Sequence, residues 1–143
     1  ADHVLFYCED IPQVLAECRR VLKNGGRFLC STYGKQHMWE ITDLVQQFHK
    51  EIVLSAEVLY ERFGLENGEN LLAPYFPEIQ MRRYEDAIEI AEAEPLISYI
   101  LSCHGNQNQL LLNQYKEFRE FVSARVADGF HITKDAGIFL CRK

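Results

Sequence analysis

The chain has 143 residues, of which 48% are hydrophobic and 25% are charged, and its formal net charge is −6. This length and composition are typical of one globular domain with a single core. The acidic balance disfavours a nucleic-acid surface or an anionic membrane as a partner, because both require clustered Lys and Arg. The sequence has no apolar run long enough to cross a bilayer. We therefore expect neither a nucleic-acid nor a membrane partner.

The cysteines indicate the compartment. Their number is odd, and no two of them have C-x-x-C spacing: Cys8, Cys18, Cys30, Cys103 and Cys141. Most lie beside apolar residues in predicted helices or strands, which favours buried thiols over a disulfide framework. We expect a reducing compartment and a cytoplasmic protein.

The first three predicted elements alternate between strand and helix. "HVLFY" at His3–Tyr7 is typical of the end of a buried strand. A helix with an apolar face follows, capped by Asp10, and Asn24 and Gly25 can take the left-handed conformation that ends it. "RFLCSTY" then predicts a second strand. Such a helix-to-strand turn is typical of the second half of a βαβ unit.

The rest of the chain predicts more helix and a final hairpin. A second helix is expected from about Gln36 to His49, and a short one from Asn67 or Gly68. "EIQMRRYEDAIEIA" predicts a strand, a bend and a short second strand. Two further helices are followed by "FHITKDAGIFLCRK", which we interpret as two short strands around a turn at residues 134–137. The pattern predicts an α/β fold whose sheet ends in antiparallel strands.

Histidine and aromatic residues follow the first two predicted strands. His3 and His37 are both expected at the carboxyl edge of the sheet, where open α/β folds bind ligands. They are either ordinary loop residues or parts of a site. Tyr7 and Tyr33 are predicted nearby, and such side chains either pack in a core or line a pocket for a flat, apolar group.

Other site chemistries are disfavoured by residue spacing. Gly25 and Gly26 follow a helix and open a strand, whereas dinucleotide-binding glycines follow a strand and open a helix. The sequence has no P-loop, and Ser31 lacks the G-x-S-x-G context of a hydrolase. No pair of histidines has H-x-x-x-H or H-x-H spacing, so we expect no metal site.

Residues 2–34, "DHVLFYCEDIPQVLAECRRVLKNGGRFLCSTYG", closely resemble the middle of class I S-adenosylmethionine-dependent methyltransferases. The similarity is to the branch related to the ubiquinone and menaquinone biosynthesis methyltransferases, the methyltransferase type 11 group. "EIQMRRYEDAIEI" is similar to the sixth strand of that family, and "FHITKDAGIFLCRK" to its antiparallel seventh. The resemblance implies a partial Rossmann-like fold that holds strands four to seven of a seven-stranded sheet. Residues 1–143 would form one domain, with 93–129 as a helical insertion.

The resemblance also implies a site for the cofactor S-adenosylmethionine and a small-molecule methyl acceptor. The expected cofactor contacts are Asp2, His3 and Leu5. The expected acceptor contacts are Phe6, Tyr7, Tyr33 and His37. No catalytic base can be assigned, and His3 is the candidate if one is needed.

Family members carry a glycine-rich loop after their first strand, an acidic residue after the second and an Asp-containing turn after the third, and none of these occurs in the sequence. We therefore expect a fragment that is inactive alone and self-associates through an exposed sheet edge. The alternative is a non-catalytic binding or oligomerisation module with the same fold. Half of a nicotinamide-dependent oxidoreductase fits the helix-to-strand pattern alone, but the absence of G-x-G-x-x-G and the antiparallel end of the sheet disfavour it.

Overall fold

A computed structural model describes all 143 residues, which form helices and one three-stranded sheet. The chain divides into two compact units. The first unit comprises Ala1–His37, Val58–Glu85 and Asp135–Lys143. The second unit comprises Met38–Glu57 and Asp86–Lys134. The predicted α/β class is confirmed.

The elements follow one another in chain order after a short 3-10 turn at Leu5–Tyr7. The helices are α1 (Ile11–Val21), α2 (Trp39–Phe48), α3 (Leu59–Arg62), α4 (Gly68–Leu72), α5 (Ala93–Ser102), α6 (Gln107–Leu111) and α7 (Tyr115–Val126). The strands are β1 (Arg27–Tyr33), β2 (Glu78–Ile90) and β3 (Phe130–Arg142). None of the helices is both long enough and apolar enough to span a membrane.

Helix α1 begins where its sequence predicts, but it ends at Val21, where Leu22 is already extended, before the predicted end at Asn24 and Gly25. The Asp10 carboxylate accepts a hydrogen bond from the Gln13 backbone N–H at 2.8 Å, which satisfies one of the free donors of the first turn. After the helix, Gly25 has a φ of +73°, a left-handed conformation that suits glycine. Leu15 lies on the buried face and anchors the helix to the core.

The sheet places β3 between β1 and β2. Strand β3 is antiparallel to β1, in a register that runs from Arg27 opposite Arg142 to Tyr33 opposite Ala136. This confirms that the last strand is antiparallel. One face of β1 buries Cys30, whereas the other face leaves Leu29 43% exposed, so the sheet is packed on one side along this strand.

The predicted final hairpin is wrong, because β3 is one continuous strand of 13 residues. Asp135 and Gly137, which we interpreted as turn residues, lie inside it. The Asp135 carboxylate forms an ion pair with Arg83 at 2.9 Å, so this polar residue has a partner within the fold. A Cβ at Gly137 would lie 2.8 Å from the backbone oxygen of Arg82. The glycine therefore permits a close approach of backbones, not a reversal of the chain.

The N-terminal segment also differs from the prediction. Only Asp2 pairs as in a strand, through an isolated parallel bridge to Ser31. His3 has a φ of +48°, which ends the extended conformation, and the 3-10 turn follows. Leu5 and Phe6 are both 2% exposed. Neighbouring residues of a strand point to opposite faces, so the turn is what lets both side chains enter the same core.

Two further boundaries depart from the sequence analysis. The predicted bend in residues 78–90 is absent, and β2 is a single 13-residue strand. Helix α2 begins at Trp39 instead of Gln36. The delay has a tertiary cause, because the Gln36 N–H donates to the carboxylate of the distant Asp135 at 3.2 Å and so belongs to a turn.

The core of the first unit combines aliphatic and aromatic side chains. Phe28 stacks on Phe76 with ring centroids 5.4 Å apart, and Phe63 meets Phe139 edge-on at 5.8 Å. The buried members of this core are Leu5, Phe6, Ile11, Leu15, Cys30, Phe63, Leu65, Leu72, Phe76, Phe139 and Cys141. All five cysteines are free thiols. A hydrogen bond with Cys141, together with burial, raises the pKa of Cys30.

The core of the second unit is mainly aliphatic and helical. It includes residues from α2, α5, α6 and α7, so the predicted helical segment 93–129 contributes three of its four helices. Its buried members are Ile41, Leu44, Val45, Ile52, Leu96, Ile97, Ile100, Leu111, Phe118, Val122, Val126 and Ile132. Glu40 accepts hydrogen bonds from the backbone N–H and the hydroxyl of Thr133. Although burial acts in the opposite direction, these bonds lower the pKa of Glu40.

Candidate functional site

The N-terminal segment lies beside the second half of β1. The Ser31 N–H donates to the Ala1 carbonyl at 2.9 Å, and the His3 N–H donates to the Ser31 carbonyl at 3.3 Å. The Ser31 hydroxyl also donates to the Asp2 carboxylate. The N-terminal segment is thereby paired in parallel with β1. The bonds fix the backbone of Asp2 and His3 near the carboxyl end of that strand.

Five side chains predicted for the site form one group of contacting rings, which we call the aromatic cluster: His3, Phe6, Tyr7, Tyr33 and His37. Tyr33 is its centre. Its ring stacks on His37 at 5.0 Å and on His3 at 6.0 Å, with interplanar angles of 25° and 17°. Phe6 packs at a tilt against Tyr33 at 5.3 Å and meets Tyr7 edge-on at 4.7 Å. The structure thus brings together residues from two short segments of the chain, 3–7 and 33–37.

The predicted site residues differ greatly in exposure. Leu5 and Phe6 are buried and form a floor. Tyr7 is 66% exposed, and the side chain of His3 is 42% exposed. The Asp2 side chain is 90% exposed, with its carboxylate 4.0 Å from His3 Nε2. The aromatic cluster therefore has an apolar floor and a polar rim that solutes can reach.

The loop at residues 34–37, which carries His37, is held by three charged side chains that the sequence analysis did not identify. We call them the loop network: Glu66, Arg83 and Asp135. Arg83 bridges both carboxylates, at 3.0 Å from Glu66 and 2.9 Å from Asp135. Both carboxylates also accept hydrogen bonds from the loop backbone. The Lys35 N–H donates to Glu66 and the Gln36 N–H donates to Asp135, each at 3.2 Å.

Gly34 lets the loop approach the loop network. Its N–H donates to the Asp135 backbone carbonyl at 3.0 Å. A Cβ at this position would collide with the Asp135 carboxylate and would lie 2.8 Å from Glu66 Oε1. A side chain here would therefore push the carboxylates away from the loop. The sequence held one signal of this arrangement, namely an aspartate in the middle of an apolar strand pattern.

The aromatic cluster offers two kinds of chemistry. The rings of Tyr33 and the exposed Tyr7 can attract a positively charged group, because aromatic rings carry negative charge density on their faces. His3 supplies ring nitrogens at an exposed position, where an imidazole can accept or release a proton. No group of three or more His, Cys, Asp or Glu side chains is arranged to hold a metal ion.

Comparison with known proteins gives a match to one family model over part of the chain. Residues 1–30 match the family model described as a methyltransferase domain. The match includes the N-terminal segment, α1 and the first half of β1, and it contains His3, Phe6 and Tyr7 of the aromatic cluster. No curated protein matches the chain. The match supports a methyltransferase domain, and it lies on the segment that supplies three of the five residues of the aromatic cluster.

Proposed function

We propose that this chain forms the carboxyl-terminal part of an S-adenosylmethionine-dependent methyltransferase that acts on a small molecule. The observation that carries the proposal is the family match over residues 1–30, since that segment positions His3 and Phe6 against Tyr33. The proposal also assigns β1, β2 and β3 to the fifth, sixth and seventh strands of the family. The antiparallel β3 supports this assignment. The parallel bridge at Asp2 supports a fourth strand beside β1.

The residues present suit one side of a methyl-transfer site. Bound S-adenosylmethionine would supply an electrophilic methyl group on a positively charged sulfur. Asp2 and the aromatic faces of the cluster suit a cation, through charge and through ring electrostatics respectively. Leu5 is buried, so it would act by supporting the floor instead of touching the cofactor. We therefore assign cofactor contacts to Asp2 and His3, with Leu5 beneath them.

The acceptor side of the proposed site consists of Tyr7, Tyr33 and His37, with the buried ring of Phe6 beneath them. Stacked rings next to an apolar floor favour a flat or apolar acceptor. An acceptor held against these rings would have to lose a proton on methylation. If a base is needed, we assign that role to His3, whose exposed side chain would take the proton at a ring nitrogen. Alignment of the two reactants would provide much of the rate acceleration.

The remaining cofactor contacts would come from residues outside this chain, because the family's glycine-rich loop is not among the 143 residues. We accordingly propose that the isolated chain has little or no methyltransferase activity. The exposed Leu29 on β1 and the incomplete pairing at the edge of that strand support self-association of the isolated chain. Its free thiols support a reducing compartment such as the cytoplasm.

Calorimetric titration with S-adenosylmethionine tests the proposal. We expect no saturable binding to the 143-residue chain and clear binding to a form of the protein extended upstream. In the extended form, Tyr33→Ala should weaken cofactor binding about tenfold, because it removes the ring on which the proposed cofactor contact His3 stacks. Tyr84→Ala is the matched control, since Tyr84 is an exposed tyrosine on β2.

Two results would contradict the proposal. Absence of binding by the extended form would favour the non-catalytic binding or oligomerisation module. Equal effects of Tyr33→Ala and Tyr84→Ala would show that the cofactor binds away from the aromatic cluster.

Self-association is tested by size-exclusion chromatography with light scattering on the isolated chain. We expect a mass at least twice the 16.7 kDa of the monomer. A well-folded monomer at micromolar concentration would exclude this part of the proposal.

A further inference from the structure

A second concave surface lies at the other end of β1, away from the residues of the aromatic cluster. It occupies the region where β1 and β2 begin and β3 ends, and its volume is about 270 Å³. We call it the arginine concavity. Its lining residues are Arg27, Glu78, Gln80, Arg82, Leu140, Cys141 and Arg142.

The three arginines are brought together by the sheet. Arg27 and Arg142 are direct partners in the register of β1 and β3. Directly opposite residues of an antiparallel pair point to the same face, so the two guanidinium groups share one side of the sheet. Arg82 lies on β2, the neighbour of β3 on its other side, and lines the same concavity.

The positive charge of the arginine concavity is only partly balanced. Its one carboxylate, on Glu78, lies 3.7 Å from Arg142. Arg27 and Arg82 form no ion pair within the chain. Like charges directly opposite one another, such as Arg27 and Arg142, destabilise a sheet. The protein as a whole is acidic, with a net charge of −6, but Glu78 supplies the only carboxylate that lines the concavity beside these arginines. The local excess of cations thus points to a ligand of negative charge.

We propose that the arginine concavity binds a small oxyanion, and specifically the phosphate or diphosphate group of a phosphorylated metabolite. A guanidinium group is a planar fork whose N–H donors match the oxygens of phosphate, and several forks around one concavity can share one anion. Leu140 offers an apolar surface for the remainder of the ligand. The site is separate from the proposed methyl-transfer site and would bind its ligand whether or not the chain takes part in methyl transfer.

Titration of the 143-residue chain with pyrophosphate at low ionic strength tests this proposal. The signals of the arginine Nε–H groups in proton–nitrogen NMR spectra report which side chains respond. We expect saturable binding at one site, with shifts of Arg27, Arg82 and Arg142. Arg82→Gln should weaken binding about tenfold, because it removes charged hydrogen bonds to the anion.

A charge-matched pair of variants separates local from overall charge. Glu78→Gln removes the carboxylate that competes for Arg142, so it should tighten pyrophosphate binding severalfold. Glu120→Gln makes the same change on the exposed surface of α7 and should leave the affinity unchanged. Unchanged backbone amide spectra would show that each variant retains the fold.

Three outcomes would overturn the proposal. Binding that does not saturate would show only a diffuse attraction. Equal tightening by Glu78→Gln and Glu120→Gln would attribute the effect to net charge. Tighter binding of an acidic peptide than of pyrophosphate at the same charge would identify the surface as a protein interface instead.

Discussion

The two compact units of this protein are stabilised in different ways. The first unit assembles three separate chain segments around the pairing of β1 with β3. It places the aromatic cluster at one end of that pair and the arginine concavity at the other. The second unit joins two segments mainly through an aliphatic core of helices. Both candidate sites lie in the first unit. A sheet holds loops and side chains at its ends in fixed register, which suits the positioning of chemical groups.

The largest expected effect comes from removing a core ring in either unit. Phe139→Ala in the first unit and Phe118→Ala in the second each delete a fully buried side chain, at an expected cost of about 3–5 kcal/mol in unfolding free energy. Urea denaturation measures the cost, and amide hydrogen exchange shows where protection is lost. Phe139→Ala should expose β1 amides, and Phe118→Ala should expose α7 amides. Identical exchange patterns in the two variants would remove the distinction between the units.

A smaller loss is expected when the loop network is broken. Asp135→Asn keeps the size of the side chain but removes the charge that pairs with Arg83. Arg83 is 38% exposed, so solvent screening limits the cost to about 1–3 kcal/mol. Urea denaturation should show this loss, together with faster exchange of the Gln36 amide. The control is Asp128→Asn at an exposed position, and an equal loss there would show that the loop network contributes nothing specific.

The polar contact of the second unit should produce a pH-dependent effect. Folding lowers the pKa of Glu40. The contribution of Glu40 to the free energy of unfolding is therefore present above the unfolded pKa of about 4.3 and is lost as pH falls through the folded pKa. Glu40→Gln should cost about 1 kcal/mol at pH 7 and less near pH 3. Unfolding curves at both pH values measure the difference. A cost that is constant between them would show that the carboxylate charge is unimportant.

The smallest effect concerns an exposed pair in the second unit. A hydrogen bond from the His131 ring to Glu89, at 2.5 Å, raises the pKa of the imidazole. The contribution of this pair to the free energy of unfolding is therefore present below the unfolded pKa of His131 and is lost as pH rises through the raised folded pKa. NMR titration should show the pKa of His131 returning towards about 6.5 in Glu89→Gln. An unchanged His131 titration would mean that the pair does not form in solution.

Local sequence signals predicted the parts of the fold that depend on neighbouring residues. Asp10 caps α1 and Gly25 takes a left-handed conformation in the turn before β1, as expected, because capping and turn chemistry act within a few residues. The sequence also predicted that the residues of the aromatic cluster lie close together, since the first two predicted strands end at the same edge of the sheet. Its geometry, with Tyr33 stacked between two histidines, was not predictable because the stacking depends on how separate segments meet.

The failures share one cause. Asp135 and Gly137 have the composition of a turn, but in the structure they serve an ion pair and a close backbone approach to residues about 50 positions away in the chain. The 3-10 turn at Leu5–Tyr7 has the composition of a strand, and the burial of both Leu5 and Phe6 in one core decides otherwise. In each case tertiary contacts outweigh a weak local preference.

The sequence by itself determined the α/β class and the start of α1, because periodicity and capping are encoded over short distances, and its family resemblance indicated the residues that supply the aromatic cluster. Only the tertiary structure decided that β3 runs unbroken, that Glu66, Arg83 and Asp135 hold the loop at residues 34–37, and that Arg27 and Arg142 face one another. These features depend on strand register and on burial between distant segments. Neither quantity is a property of any short stretch of the chain.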